Sequence, residues 1–124
     1  MIKLMIVDDE VEICDFVKNF FKERNFEVFT AHNGEEALDI IEAQNPDIVL
    51  LDIRMPVMDG MQMLKELHRR SKNSKVIMVT AMESPEKESE ARSYGAVEYI
   101  AKPLSLERLE QSVFEVAEGI ETSS

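Results

Sequence analysis

Tryptophan is absent from the 124-residue chain, and cysteine, glycine and proline are scarce, with one, four and four residues respectively. Because Cys14 has no second cysteine to pair with, the sequence excludes an internal disulfide scaffold and favours a reducing, cytoplasmic location. No apolar run is long enough to cross a bilayer, and the apolar start of the chain soon reaches acidic residues, unlike a signal peptide. We therefore expect no membrane association.

Positive charge is also scarce. Fourteen basic residues stand against 25 acidic ones, which gives a formal net charge of −11. A surface of this charge repels the phosphate backbone, so we expect no direct nucleic acid binding by this domain. The charge suits a basic protein partner or a cation, or the acidic side chains are simply solvated. With 44% hydrophobic residues, the chain is long and apolar enough for one domain with a buried core.

Short apolar runs alternate with segments of helical periodicity along the whole chain. The predicted strands are residues 3–7, 25–31, 48–51, 75–79 and 97–101. Repeated βα units require right-handed crossovers, which produce a parallel sheet with helices on both faces. We therefore predict one α/β domain over residues 1–120, followed at residues 121–124 by a tail or the start of a linker.

The first helical segment, residues 11–24, carries a pronounced apolar stripe. Its members, which we predict to face the core, are Ile13, Phe16, Val17, Phe20 and Phe21. In the same segment we expect Cys14 to be a small packed hydrophobe.

Charged and hydroxyl-bearing residues follow the ends of four of the predicted strands. They are Asp8, Asp9, Asp52, Thr80 and Lys102. In an open parallel sheet, ligands bind at the carboxyl ends of the strands, near a topological switch point. We therefore expect these side chains to converge at one edge of the sheet.

Clustered carboxylates repel each other unless a cation neutralises them. Mg²⁺ suits this edge because it prefers oxygen ligands and is commonly held by one or two carboxylates and a phosphate. We expect Asp9 and Asp52 to be direct ligands and Asp8 to act directly or through a water molecule. The backbone carbonyl of Arg54 would complete the coordination shell.

An aspartate can attack a phosphorus centre and form an acyl phosphate. Such a transfer needs little from the protein beyond position and neutralised charge. Here Mg²⁺ and the Lys102 ammonium would supply the positive charge, and the Thr80 hydroxyl would donate a hydrogen bond to a phosphoryl oxygen. The sequence thus predicts Asp52 as the phosphoacceptor.

Four motifs together resemble the receiver domain of two-component response regulators, of the chemotaxis-receiver type. They are Val7-Asp8-Asp9-Glu10, the run from Leu51 to Gly60, Val79-Thr80-Ala81 and Tyr99-Ile100-Ala101-Lys102-Pro103. The motifs stand in the family's order and cover essentially the whole chain. The resemblance implies a flavodoxin-like (βα)5 fold, a three-layer sandwich whose five parallel strands have the order 2-1-3-4-5.

The resemblance also implies roles for the acidic residues. Asp52 would accept a phosphoryl group from a phosphohistidine on a sensor histidine kinase or a histidine phosphotransfer protein. Asp8 and Asp9 fall on the family's metal-binding acid pair, and the Arg54 carbonyl falls on its backbone ligand.

By the same resemblance, Lys102 falls on the phosphate-contacting lysine, and Pro103 is expected to follow it through a cis peptide bond. Thr80 and Tyr99 fall on the two switch positions. Phosphorylation would draw Thr80 toward the phosphate and let Tyr99 rotate, which changes the surface formed by the fourth helix, the last strand and the last helix. Partners would read that surface.

Two positions depart from the chemotaxis-type pattern and are expected to tune the rate of dephosphorylation. Arg54, two residues past Asp52, is long and basic. Met82, two residues past Thr80, is apolar and cannot orient an attacking water molecule. We therefore predict slow self-dephosphorylation.

The family implies a signalling switch that catalyses only its own phosphorylation and slow dephosphorylation. Two other functions stay open. An aspartyl-nucleophile phosphohydrolase would have a second acid where Arg54 stands, and a phosphate-independent interaction module would not need the full set of acids, hydroxyl and lysine. The output would pass to a downstream protein target or to a missing effector domain. The resemblance also allows a homodimer that forms when the domain is phosphorylated.

Overall fold

The computed structural model describes residues 1–55, 58–81, 84–102 and 105–122, with only the backbone of the last residue. Within these residues, strands and helices alternate. The strands are β1 (Lys3–Val7), β2 (Glu27–Ala31), β3 (Ile48–Leu51), β4 (Lys75–Thr80) and β5 (Ala96–Ala101). The helices are α1 (Val11–Lys22), α2 (Gly34–Gln44), α3 (Gly60–Arg69), α4 (Pro85–Ser93) and α5 (Leu106–Thr122). Among the described residues, no helix has the length and apolarity needed to span a bilayer.

All five strands form one parallel sheet in the order β2-β1-β3-β4-β5, which confirms the predicted topology. Successive residues of a strand point to opposite faces, so the sheet has two apolar sides. Met5 and Val7 face the cluster that contains residues of α2, α3 and α4, whereas Leu4 and Ile6 face the cluster formed with α1 and α5. The result is the expected three-layer sandwich.

Side-chain caps fix the starts of α2, α3, α4 and α5. At the start of α2, the Asn33 side chain accepts a hydrogen bond from the Glu36 N–H at 2.9 Å. At the start of α3, Asp59 and Gln62 form a reciprocal capping box, with bonds of 2.8 and 3.0 Å. The second cap fixes the entry of α3 next to the residues that follow β3.

The prediction that Phe16 faces the core is wrong. Its side chain is 59% exposed, and the buried face of α1 consists of Cys14, Val17 and Phe21. These three residues recur about one turn apart on one side of α1. Phe16 projects from a different side of the helix, toward solvent. Ile13 and Phe20 are half-buried at the margin of the same cluster.

Several predicted boundaries also change, among them those of β4, which includes Thr80, and of β5, which begins at Ala96. α1 ends at Lys22, because the chain turns at Asn25, whose φ of 67° is left-handed, before β2 begins at Glu27. α5 continues to Thr122 and so includes two residues that the sequence assigns to the tail, Glu121 and Thr122. The helix is held against the core as far as Ile120, which packs on the cluster that contains α1 and α5. The division of the chain at residue 120 stays a prediction.

Candidate functional site

β1 and β3 end at the same level, since Val7 pairs with Leu51 in the register of the two strands. Asp8 and Asp52 follow these residues directly, and the Asp52 N–H donates to the Val7 carbonyl at 3.1 Å. Both acidic residues are buried, with 3% and 6% of their surface exposed. Two carboxylates therefore lie side by side at the carboxyl edge of the central strands.

Lys102 reaches the same edge from β5. Thr80 pairs with Ala101 at the ends of β4 and β5, and the Lys102 N–H donates to the Thr80 carbonyl at 2.7 Å. The Lys102 Nζ lies 2.8 Å from Oδ2 of Asp8 and 2.8 Å from Oδ2 of Asp52. Burial by itself lowers the pKa of Lys102, but hydrogen bonds to Asp52 and Asp8 outweigh it, so the pKa lies above its ordinary value. A charged ammonium group thus bridges the two acids at neutral pH.

The backbone holds the other oxygen of each carboxylate. Oδ1 of Asp52 accepts a hydrogen bond from the Arg54 N–H at 3.1 Å, and Oδ1 of Asp8 accepts one from the Glu10 N–H at 2.9 Å. In each acid, one carboxylate oxygen thus accepts a hydrogen bond from the backbone N–H two residues later, and the other oxygen contacts Lys102. This double attachment fixes both carboxylates in place.

A third acid joins the predicted pair after β1. Carboxylate oxygens of Asp8, Asp9 and Glu10 lie within 4.8 Å of one another. An all-oxygen set of this kind fits Mg²⁺. Sequence reasoning missed Glu10, although it stands next to the acid pair, and the structure also places its Oε1 3.9 Å from the Lys102 Nζ.

Asp9 borders an open groove of about 590 Å³ beside the acceptor loop. Its other lining residues are Ile53, Arg54, Met55, Asp59, Met61 and Lys87. The groove gives solvent and ligands access to the acidic group from one side. A larger groove, about 780 Å³, lies at the opposite edge of the sheet, and the lining that the structure describes there includes none of the predicted site residues.

Thr80 and Tyr99 share one face of the sheet. Thr80 is fully buried at the end of β4, and strand alternation puts its side chain on the same face as Met78. Tyr99 pairs with Met78 in register and packs against the cluster to which Met78 belongs. Burial, and then the charge of Glu88, raise the pKa of Tyr99 above its ordinary value. The Thr80 and Tyr99 side chains therefore lie on the same face of neighbouring strands, two register positions apart.

Cys14 lies beneath the acidic loop, fully buried as predicted. Its thiol donates to the Asp8 carbonyl at 3.3 Å, which links α1 to the residues that carry the acids. Burial, with a contribution from the Asp8 charge, raises the pKa of Cys14 to about 12. The thiol therefore stays protonated at neutral pH and is no nucleophile.

The structure thus brings Asp8, Asp9, Asp52 and Lys102 together, with Thr80 at the same edge. The predictions for Met82 and Pro103 lie outside the described residues.

The profile of the response regulator receiver domain matches residues 4–114. The chain belongs to this family. Sporulation initiation phosphotransferase F of Bacillus subtilis (strain 168) is 35% identical over 111 residues, which cover 90% of this chain and 90% of that protein. The chain is therefore a receiver domain of the two-component type, and receiver domains are signalling switches.

Solved receivers have the same architecture. A CheY-like receiver domain protein from Methanospirillum hungatei JF-1 superposes with a TM-score of 0.94 at 31% identity, covering 100% of this chain and 99% of that one. A chain of the CheX-CheY-BeF3-Mg+2 complex from Borrelia burgdorferi gives 0.87 at 35% identity, covering 93% of this chain and 88% of that one. Aspartate phosphorylation and Mg²⁺ binding are general features of the family.

Proposed function

We propose that Asp52 is the phosphoacceptor and takes its phosphoryl group from a phosphohistidine on a sensor histidine kinase or a histidine phosphotransfer protein. The observation that carries this proposal is the ammonium of Lys102, 2.8 Å from both Asp8 and Asp52. A fixed cation beside a buried carboxylate provides the charge that a phosphoryl group needs on arrival.

In the transfer, a carboxylate oxygen of Asp52 attacks phosphorus while the bond from phosphorus to the imidazole nitrogen breaks. The nitrogen leaves with the bonding electron pair, and an acyl phosphate remains on Asp52. The Lys102 ammonium offsets negative charge on a phosphoryl oxygen. The Thr80 hydroxyl, at the end of the neighbouring strand, donates a hydrogen bond to another.

Asp8, Asp9, Asp52 and the Arg54 carbonyl would hold Mg²⁺ in this site. The carboxylate oxygens of Asp8 and Asp9, which lie within 4.8 Å of one another and of a Glu10 oxygen, support the assignment of these two acids and add Glu10 as a further acid within reach. When bound, Mg²⁺ would supply positive charge to the transferring phosphoryl oxygens.

The phosphorylated state would be read at the surface of α4, β5 and α5. Thr80 would move toward the phosphate, and Tyr99 would rotate into the space that Thr80 leaves. The domain would thereby shift between two packings of these side chains. The shared sheet face of the two residues supports this coupling. The reader would be a downstream protein, an attached effector domain or a second phosphorylated copy.

The proposal is tested by incubating the protein with acetyl phosphate and Mg²⁺ and measuring its intact mass. We expect the mass to rise by one phosphoryl group, and we expect EDTA to prevent the rise because the acids then lack their neutralising cation. Steady release of phosphate without a phosphoprotein would instead indicate a phosphohydrolase. A protein that neither gains mass nor responds to Mg²⁺ with beryllium fluoride would be a phosphate-independent interaction module.

Replacing Met82 with glutamine is expected to shorten the lifetime of the phosphoprotein roughly tenfold, because an amide can orient an attacking water molecule and a thioether cannot. The decay of the phosphorylated mass after removal of the donor measures this lifetime. Met82→Leu, which keeps an apolar side chain, should decay like the native protein. Equal decay of the glutamine and leucine variants would contradict the prediction.

A further inference from the structure

Gly60, the first residue of α3, touches the backbone that carries the acceptor. A Cβ on Gly60 would overlap the carbonyl oxygen of Asp52 and would lie 2.8 Å from both the Asp52 carbonyl carbon and the Ile53 Cα. These are main-chain atoms, so no side-chain rotation can make room. Any other residue at this position would force α3 away from the Asp52–Ile53 peptide or displace that peptide.

The requirement for glycine is steric and not conformational. Gly60 lies in the first turn of α3, and its φ is outside the left-handed region that favours glycine. Glycine also has a low intrinsic helix propensity, so propensity does not account for its presence here. The absence of a side chain is therefore explained by the close approach to Asp52.

The first turn of α3 is also held firmly against this peptide. The Gly60 N–H donates to the Ile53 carbonyl at 2.8 Å, and the capping box of Asp59 and Gln62 closes the turn on its outer side. Met63, fully buried, fixes the same turn to the core. The peptide after Asp52 thus has a rigid support on the side of α3.

We propose that Gly60 is a positioning residue for phosphoryl transfer, because its missing side chain lets the first turn of α3 fix the backbone from which the Asp52 carboxylate projects. The inference rests on the proposed role of Asp52 as phosphoacceptor. The carboxylate must meet both the Lys102 ammonium at 2.8 Å and an incoming phosphorus atom, so a shift of its backbone misaligns both. A misplacement of about 1 Å can cost on the order of 100-fold in rate.

The test compares three glycine-to-alanine variants that differ in what the new Cβ meets. In Gly60→Ala it meets the acceptor backbone, whereas in Gly34→Ala it meets the Met58 side chain, whose Cβ lies 2.8 Å away and is no part of the Asp52–Ile53 peptide. For Gly119→Ala in α5, the described residues outside its own helix place no heavy atom within 4 Å. The measured quantity is the rate of phosphorylation by acetyl phosphate at saturating Mg²⁺, at a temperature where circular dichroism shows each variant folded.

We expect Gly60→Ala to be phosphorylated about 100-fold more slowly than the native protein, and the other two variants to stay within about threefold of it. A merely structural role would lower the melting temperature without changing the rate per folded molecule. A folded Gly60→Ala protein with the native rate would therefore overturn the inference. If the native protein itself gains no phosphoryl group, the proposed function fails instead.

A second pair of variants decides the matter if Gly60→Ala does not fold. Asp59→Ala removes the cap that closes the first turn of α3, whereas Asp59→Asn keeps a capping oxygen and removes the charge. We expect phosphorylation to slow several-fold in the alanine variant and to be native in the asparagine variant. Native rates in Asp59→Ala, or equal losses in both variants, would show that the position of the turn does not set the rate and would overturn the inference.

Discussion

Asp52→Ala is expected to abolish phosphorylation by acetyl phosphate, with a loss of more than about 1,000-fold, because the attacking oxygen is removed and no other group takes its place. Asp8, the neighbouring buried acid, is not expected to take its place, because the proposed function assigns Asp8 to holding Mg²⁺ and not to attack on phosphorus. Intact mass after incubation with acetyl phosphate and Mg²⁺ measures the effect. The fold should persist, because Lys102 keeps its ion pair with Asp8 at 2.8 Å.

Asp39→Ala provides the matched control, since Asp39 is an exposed aspartate on α2, away from the carboxyl edge of the sheet. It should gain the phosphoryl group like the native protein. A phosphoryl group that still appears on the Asp52→Ala protein would show that another side chain is the acceptor. In that case the assignment of Asp52 would be wrong, whatever the fold.

The order of the sheet and the edge at which the polar residues meet could both be predicted from the sequence. A run such as Ile48 to Leu51 is apolar at every position, which is typical of a strand buried on both faces, and the alternation of such runs with helices leaves little freedom of topology. Residues that follow parallel strands must then share an edge. The 2.8 Å contacts of Lys102 with Asp8 and Asp52 join residues up to 94 positions apart in the chain.

Details that depend on how the elements pack could not be predicted. The apolar stripe of α1 was read as wider than its buried face, because helical periodicity shows which side of a helix is apolar but not how far the sheet covers it. Phe16 therefore appeared to be a core residue and is 59% exposed. The role of Gly60 could not be found in the same way, since its contact with Asp52 depends on the distance between α3 and the end of β3.

Lys102→Ala is expected to lower the rate of phosphorylation by about 100-fold, the usual loss when one fixed charge-stabilising donor is removed. It should also reduce the free energy of unfolding by about 3 kcal/mol, because Asp8 and Asp52 lose the cation that lies between them. Acetyl phosphate kinetics and denaturant unfolding measure the two effects. Lys22→Ala, at the exposed end of α1, is the control and should change neither quantity.

Mg²⁺ and pH distinguish a loss of charge from a loss of packing in Lys102→Ala. Because Mg²⁺ can replace the missing positive charge, it should raise the melting temperature of the variant more than that of the native protein. The pH dependence follows from the raised pKa of Lys102 in the folded protein. Below the unfolded-state pKa of about 10.4, Lys102 is charged in both states and its ion pairs stabilise the fold fully. As the pH rises through the higher folded-state pKa, Lys102 loses its charge and this stabilisation is lost. The stability difference between native protein and variant should therefore stay constant from about pH 7 to 9 and shrink above about pH 10.4. Two results together would contradict this prediction: an equal response of both proteins to Mg²⁺, and a difference in the free energy of unfolding that does not change with pH. They would mean that the side chain of Lys102 contributes packing and not charge.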